Sequence, residues 1–156
     1  MPPSCALIST APGREKSGEH AIGRSRGGLA TKIHALVDAL GNPVELLLTP
    51  GQAPDLDQAE PLIEDADFKA LLADRAYDAD RLIDTLAERQ ITPVIPPKVN
   101  RTIKRACDFA LYAERNLIER FLDKPKHSRS IATRYDKPDR NFLAAIHLAA
   151  IVILLN

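Results

Sequence analysis

Residues 68–95 constrain the fold most, because two short apolar runs flank one amphipathic segment there. Phe68-Lys-Ala-Leu-Leu-Ala73 reads as a buried strand that ends at Asp74-Arg-Ala-Tyr-Asp78. Asp80-Arg-Leu-Ile-Asp-Thr-Leu-Ala-Glu-Arg89 reads as an amphipathic helix. Ile91–Ile95 is a second short strand, stopped by Pro96-Pro97. A strand, a helix and a strand with so short a crossover imply neighbouring parallel strands. That commits the chain to an α/β architecture.

The flanking segments extend this frame. Thr31–Asp38 alternates well enough for a strand, Asp38-Ala-Leu-Gly-Asn-Pro43 supplies turn residues, and Val44–Thr49 reads as the returning strand. On such a strand His34 reads as a packed or surface imidazole rather than a ligand. Asp55 or Asp57 is placed to cap a helix through Ala59–Glu64, with Pro61 near its first turn. A basic linker, Lys98–Arg105, leads to a helix around Tyr112, and a last helix starts near Asp139. Residues 1–20, rich in Pro, Gly and Ser, read as a disordered or aberrant N-terminus.

A length of 156 residues fits one domain with a real core. The net charge of zero conceals an uneven distribution. Residues 38–97 hold thirteen acidic groups against four basic, whereas residues 98–140 hold twelve basic against six acidic. Such a chain can hold cations in its middle and meet phosphates with its later part. Cys5 and Cys107 are too few for a disulfide framework, which makes a reducing cytoplasm the default compartment. The apolar run Leu148–Leu155 is shorter than the roughly 20 residues a membrane span needs. No membrane role is expected.

In Tyr112-Ala-Glu-Arg-Asn-Leu-Ile-Glu-Arg-Phe-Leu-Asp-Lys-Pro-Lys126, a helical projection puts Tyr112, Arg115, Glu119 and Lys126 in one arc. Leu111, Ile118 and Leu122 form the adjoining apolar arc, and Pro125 should kink or end the helix near Lys124. Upstream, Gly23-Arg-Ser-Arg-Gly-Gly28 can present backbone N–H groups and two guanidinium forks to a phosphate. By its residues alone it also fits a flexible turn.

These segments, with Pro50-Gly-Gln, Ala73-Asp-Arg-Ala-Tyr-Asp78 and Ile131-Ala-Thr-Arg-Tyr-Asp-Lys137, resemble DDE transposases of bacterial insertion sequences, in the insertion-sequence four/five-like group. The resemblance runs from about residue 21 to the end, in the family's order. It implies a ribonuclease H-like domain, a mixed sheet flanked by helices, over residues 21–156, with its first strand missing or poorly formed. It implies DNA transposition by metal-dependent hydrolysis at element ends followed by strand transfer. Asp74 and Glu119 would be two of three catalytic, metal-binding carboxylates, with Mg²⁺ or Mn²⁺ as cofactor. Tyr112, Arg115 and Lys126 would contact DNA, joined by Arg24, Arg26 and Arg129. Terminal inverted repeats and target DNA would be the partners, a homo-oligomer the working form, and the bacterial nucleoid in the cytoplasm the location.

The family's first Asp has no counterpart, since no Asp precedes Asp38 and Asp38 lies in the hairpin turn. Ile8-Ser9-Thr10 resembles a degraded form of that motif, with Ile in place of Asp, but lies close to the Gly-Arg-Ser-Arg loop. An N-terminally truncated transposase of impaired activity is therefore expected. Two other readings stand beside it: a non-catalytic DNA-binding remnant that inhibits the full-length enzyme, and a ribonuclease H-like nuclease with another acidic residue near Asp74.

Overall fold

The computed structural model describes residues 4–10, 23–25, 28–115 and 139–154. Six strands form the sheet: β1 (Ser4–Thr10), β2 (Gly23–Ser25), β3 (Gly28–Asp38), β4 (Pro43–Pro50), β5 (Ala70–Leu72) and β6 (Thr92–Val94). Among the described residues, four α-helices accompany them: α1 (Ala59–Ile63), α2 (Asp80–Glu88), α3 (Phe109–Ala113) and α4 (Asp139–Leu154). Short 3-10 turns at Leu56–Gln58 and Arg75–Tyr77 complete the order.

The strand order across the sheet is β4, β3, β1, β5, β6, with β2 pairing the first residues of β3. β1 runs antiparallel to β3 and parallel to β5, and β5 runs parallel to β6 across the α2 crossover. The mixed sheet flanked by helices is the expected architecture. The first strand needs correcting: it was expected to be missing or poorly formed, and it is a seven-residue strand at the sheet's centre. The Pro, Gly and Ser punctuation of the N-terminus skips Cys5-Ala-Leu-Ile8, and that apolar run is what the sheet takes up.

Alternation divides the core. On one face Ala6, Ile33, Ala35, Val37, Ala70 and Leu72 pack against Phe142 and Ile146 of α4, with Leu111 and Tyr112 at the margin. On the other, Leu7, Leu36 and Leu71 pack against Leu62 and Ile63 of α1 and Leu82 and Leu86 of α2. Fully burying each large side chain of this kind contributes about 1.5–3 kcal/mol. Helix α2 ends in paired bonds, Gln90 N–H to Ala87 O at 3.0 Å and Ile91 N–H to Leu86 O at 2.8 Å. Gln90 takes the left-handed position there, with φ of 58°. Arg89 then donates to Ile63 O and Ala66 O, tying the end of α1 to the end of α2.

The β3–β4 hairpin turns on Asp38, whose carboxylate accepts from the N–H groups of Leu40 and Asn42. Asp38 pairs with Cys5, so it lies at the end of β1 away from Ile8. Past β4 the chain closes tightly onto β3. Gly51 N–H donates to Ala30 O at 2.9 Å, and a Cβ on Gly51 would sit 2.9 Å from that same oxygen. Both groups belong to backbone, which cannot rotate away. Gly51→Ala should therefore destabilise the fold by about 1–3 kcal/mol, read as a lowered midpoint of urea unfolding with an unchanged slope.

Candidate functional site

Asp74 stands two residues past the end of β5, at the C-terminal edge of the parallel strands. It caps the turn that follows, its Oδ1 accepting from Ala76 N–H at 2.7 Å. The other oxygen, Oδ2, accepts no hydrogen bond among the described residues and lies 3.9 Å from Nη2 of Arg115. One oxygen is thus engaged in the cap while the other faces the guanidinium.

Arg115 reaches Asp74 from just beyond α3. Asp108 starts that helix by accepting from the N–H groups of Ala110 and Leu111, both at 3.0 Å. Three residues apart, Arg115 donates from Nη1 to the Tyr112 hydroxyl at 3.1 Å, with its guanidinium carbon 5.7 Å from the Tyr112 ring centroid. Asp74, Tyr112 and Arg115 are therefore brought together. Glu119, Lys126, Arg129 and Arg26 lie outside the described residues, as does 131–137, and of Arg24 only the backbone, in β2, is described.

The β1–β5 register locates a further position. Ser4, Cys5 and Ala6 pair with Ala70, Leu71 and Leu72, a constant offset of 66 residues. Extending that offset by two residues sets Ile8 level with Asp74. Proximity to the glycine-rich loop, which argued against Ile8, does not keep it from this edge.

A second polar group lies behind the edge, and little in the sequence points to it. His34 is fully buried, its Nε2 2.6 Å from Thr49 Oγ1 and its Nδ1 3.9 Å from Asp55 Oδ1. Asp55 forms an ion pair with Lys32 at 2.9 Å. Asp55 or Asp57 was expected to cap the helix; Gln58 holds that position with no side-chain cap bond, and the Asp55 carboxylate pairs with Lys32 of β3 instead. The Tyr77 hydroxyl is buried without a hydrogen-bond partner among the described residues. Burial pushes its pKa up, Asp55 and Asp74 push it further, and Arg115 opposes them. The hydroxyl thus sits in the fields of both carboxylates and the guanidinium.

The basic linker is partly neutralised. Buried Asp78 accepts from Lys98 N–H at 2.7 Å, Arg101 Nε at 2.9 Å and Arg105 Nη1 at 2.6 Å, while Asp80 accepts from Nη1 and Nη2 of Arg101 and Nη2 of Arg105. Burial pushes the Asp78 carboxyl up, but these donors outweigh it and leave the pKa below the ordinary carboxylate value. Arg101 and Arg105 therefore act as clasps that hold the linker beside the Asp74 turn. Only the acid–base pairing between distant segments could have revealed this, and a linear charge count conceals it.

The donor set suits a hard cation only in part. Asp74 offers an oriented carboxylate oxygen, but no group of three His, Cys, Asp or Glu side chains able to hold a metal occurs among the described residues. Nor is any helix among the described residues long and apolar enough to cross a membrane.

A mixed sheet with this order, flanked by helices and carrying a carboxylate at the edge of its central parallel strands, defines a ribonuclease H-like domain. Two solved structures share the fold. The catalytic core domain of BIV integrase matches with a TM-score of 0.55 at 18% identity, over 95% of this chain and 80% of that one. The piggyBac transposase, in a synaptic complex with hairpin DNA, matches with a TM-score of 0.51 at 12% identity, over 64% of this chain and 24% of that one. Residues 8–155 match the family described as Transposase DDE domain, and the chain belongs to that family. It is 38% identical over 129 residues to a protein of Brucella ovis named as transposase for insertion sequence element IS6501, covering 81% of this chain and 99% of that protein. It is 29% identical over 137 residues to a Burkholderia cepacia protein named as transposase for IS402, of which it spans 62%.

Two stability predictions follow from the polar groups. Asp78→Asn should cost about 2 kcal/mol, the range for hydrogen bonds to charged partners, measured by denaturant unfolding at neutral pH. For His34, burial pushes the imidazole below its ordinary value, Asp55 pulls it up and Lys32 pushes it down again. The unfolded chain then binds a proton that the folded chain refuses, so stability should fall as pH drops below about 6.5. His34→Gln should flatten that slope between pH 7 and 5.5.

Proposed function

We propose that the chain is the catalytic domain of an insertion-sequence transposase, acting in metal-dependent phosphodiester hydrolysis and strand transfer at element ends. The observation that carries this reading is Asp74, oriented at the edge of the parallel strands and faced by Arg115. In this reading Asp74 and Glu119 are the carboxylates that hold Mg²⁺ or Mn²⁺. Such an ion supplies Lewis-acid stabilisation of the phosphoryl oxygens and a nucleophile from water or a 3′-hydroxyl. Tyr112 orients Arg115, and Arg115, Lys126, Arg129, Arg24 and Arg26 meet the phosphates of the terminal repeats and the target. The reading places two copies on two element ends in the bacterial nucleoid. Its domain runs over residues 21–156, completed by β1.

We further propose that activity is impaired because Ile8 occupies the place of the first carboxylate. Support comes from the β1–β5 register, which sets Ile8 level with Asp74. An Ile side chain offers no oxygen to a cation, so one third of the carboxylate set is lost. The same observation favours a second reading, a non-catalytic DNA-binding remnant able to mix with full-length subunits and inhibit them.

Nicking of supercoiled plasmid in Mn²⁺ tests both. The native chain should nick slowly or not at all, Ile8→Asp should raise the rate at least about tenfold, and Asp74→Asn in that background should abolish the gain. Binding without nicking in every variant would leave the remnant reading standing alone.

A further inference from the structure

The strap between β6 and α3 sends its side chains in two directions. Arg101 and Arg105 turn inward, and two guanidinium groups there neutralise the two carboxylates of Asp78 and Asp80. Arg101 N–H also donates to Lys98 O at 3.1 Å, closing a turn with Val99 and Asn100 at its tip. The outward side is different. Val99 is 77% exposed and Ile103 80%, with exposed Asn100, Thr102 and Lys104 beside them. The side chains of Lys98 and Lys104, and of exposed Arg75 in the Asp74 turn, form no ion pair or hydrogen bond among the described residues. Residues 96–107 contain no Asp or Glu. A groove of about 440 Å³ separates the strap from Asp80, with Lys98, Asn100, Thr102 and Ile103 in its wall.

We propose that the strap is a docking surface for duplex DNA: Lys98, Lys104 and Arg75 take backbone phosphates, and Val99 and Ile103 press between base steps. This rests on the reading of DNA as the partner and needs no metal. Charge selects the occupant. A neutral protein surface could cover the two apolar tips but would leave three cations without counter-charges, whereas a duplex offers a phosphate to each. It also offers stacked bases, between which an exposed Ile can wedge and kink the helix. The clasp prepares the surface in advance. Four guanidinium–carboxylate contacts already fix the strap, so docking need not order it and loses less entropy. Position follows from the fold, since the strap leaves the C-terminal end of β6 and is bonded to Asp78, four residues past Asp74. DNA held there lies at the edge that carries Asp74.

The test is binding of a short fluorescent duplex, followed by anisotropy between about 50 and 200 mM salt. Bending is read by energy transfer between dyes at the duplex ends. The proteins are the native chain, the double variant Lys98→Gln with Lys104→Gln, Ile103→Ala, and Lys69→Gln. Lys69 is exposed just before β5, at the opposite edge, and serves as the control for lost charge. Every altered side chain lies at least partly in solvent, so all four proteins should melt alike. The double variant should bind at least about tenfold more weakly, with a salt slope shallower by about two, one per lysine. Lys69→Gln should match the native chain. Ile103→Ala should keep the salt slope and lose the bend. A double variant that binds like Lys69→Gln would overturn the strap and leave the DNA reading standing. A native chain that binds no duplex at any salt would sink the DNA reading and the strap with it. Bending that survives Ile103→Ala would overturn the wedge, and a smaller sedimenting species in that variant would assign the apolar tips to a second copy of the chain.

Discussion

The parallel pairing of β1 with β5 is the contact on which the rest depends. It joins the β3–β4 hairpin to the β5–α2–β6 crossover, which would otherwise be two separate half-sheets. It also aligns the ends of two strands and so makes an edge where a side chain from each can meet. Parallel pairing holds less per residue than antiparallel pairing, and only three residues of β5 take part. Burial supplies what the hydrogen bonds lack, since Ala6, Leu7, Leu71 and Leu72 are almost wholly buried. Each lies in one of two helix-covered clusters.

Placing Asp74 there has an energetic consequence. One carboxylate oxygen is anchored to Ala76 N–H, and the other accepts no hydrogen bond among the described residues and faces Arg115. Buried polar groups around it are also incompletely paired. The Tyr77 hydroxyl and His34 Nδ1 make no hydrogen bond among the described residues, although each lies near a carboxylate. Incomplete satisfaction of this kind concentrates where a protein trades stability for function. The Asp78 clasp offsets it, because buried Asp78 and exposed Asp80 together absorb two arginines and fix the linker that leads to α3.

Much of this was legible in the sequence because local chemistry and fold agree. The apolar runs at 70–72 and 92–94 became β5 and β6, and Asp80–Glu88 became α2, within two residues of expectation. Asp74 and Arg115, singled out by the motifs that carry them, lie 3.9 Å apart. What escaped notice depends on contacts between distant segments. β1 looks like part of an irregular N-terminus until β3 and β5 enclose it. Asp55 looks like a cap until Lys32, on a strand 23 residues earlier, draws it away. The basic linker looks like a phosphate-binding surface until Asp78 and Asp80 claim Arg101 and Arg105. A linear sequence shows charges, and only the fold shows which of them are already paired.

The central claim is that β1 is the middle strand of the sheet and that it carries Ile8 to the edge beside Asp74. Amide hydrogen exchange across Ser4–Thr10 tests it most directly. A central strand, bonded on one side to β3 and on the other to β5, should exchange as slowly as β3 itself and open only with global unfolding. Exchange of those amides at the rate of an unstructured peptide, while β3 and β5 stay protected, would contradict the account and leave Ile8 with no fixed place beside Asp74.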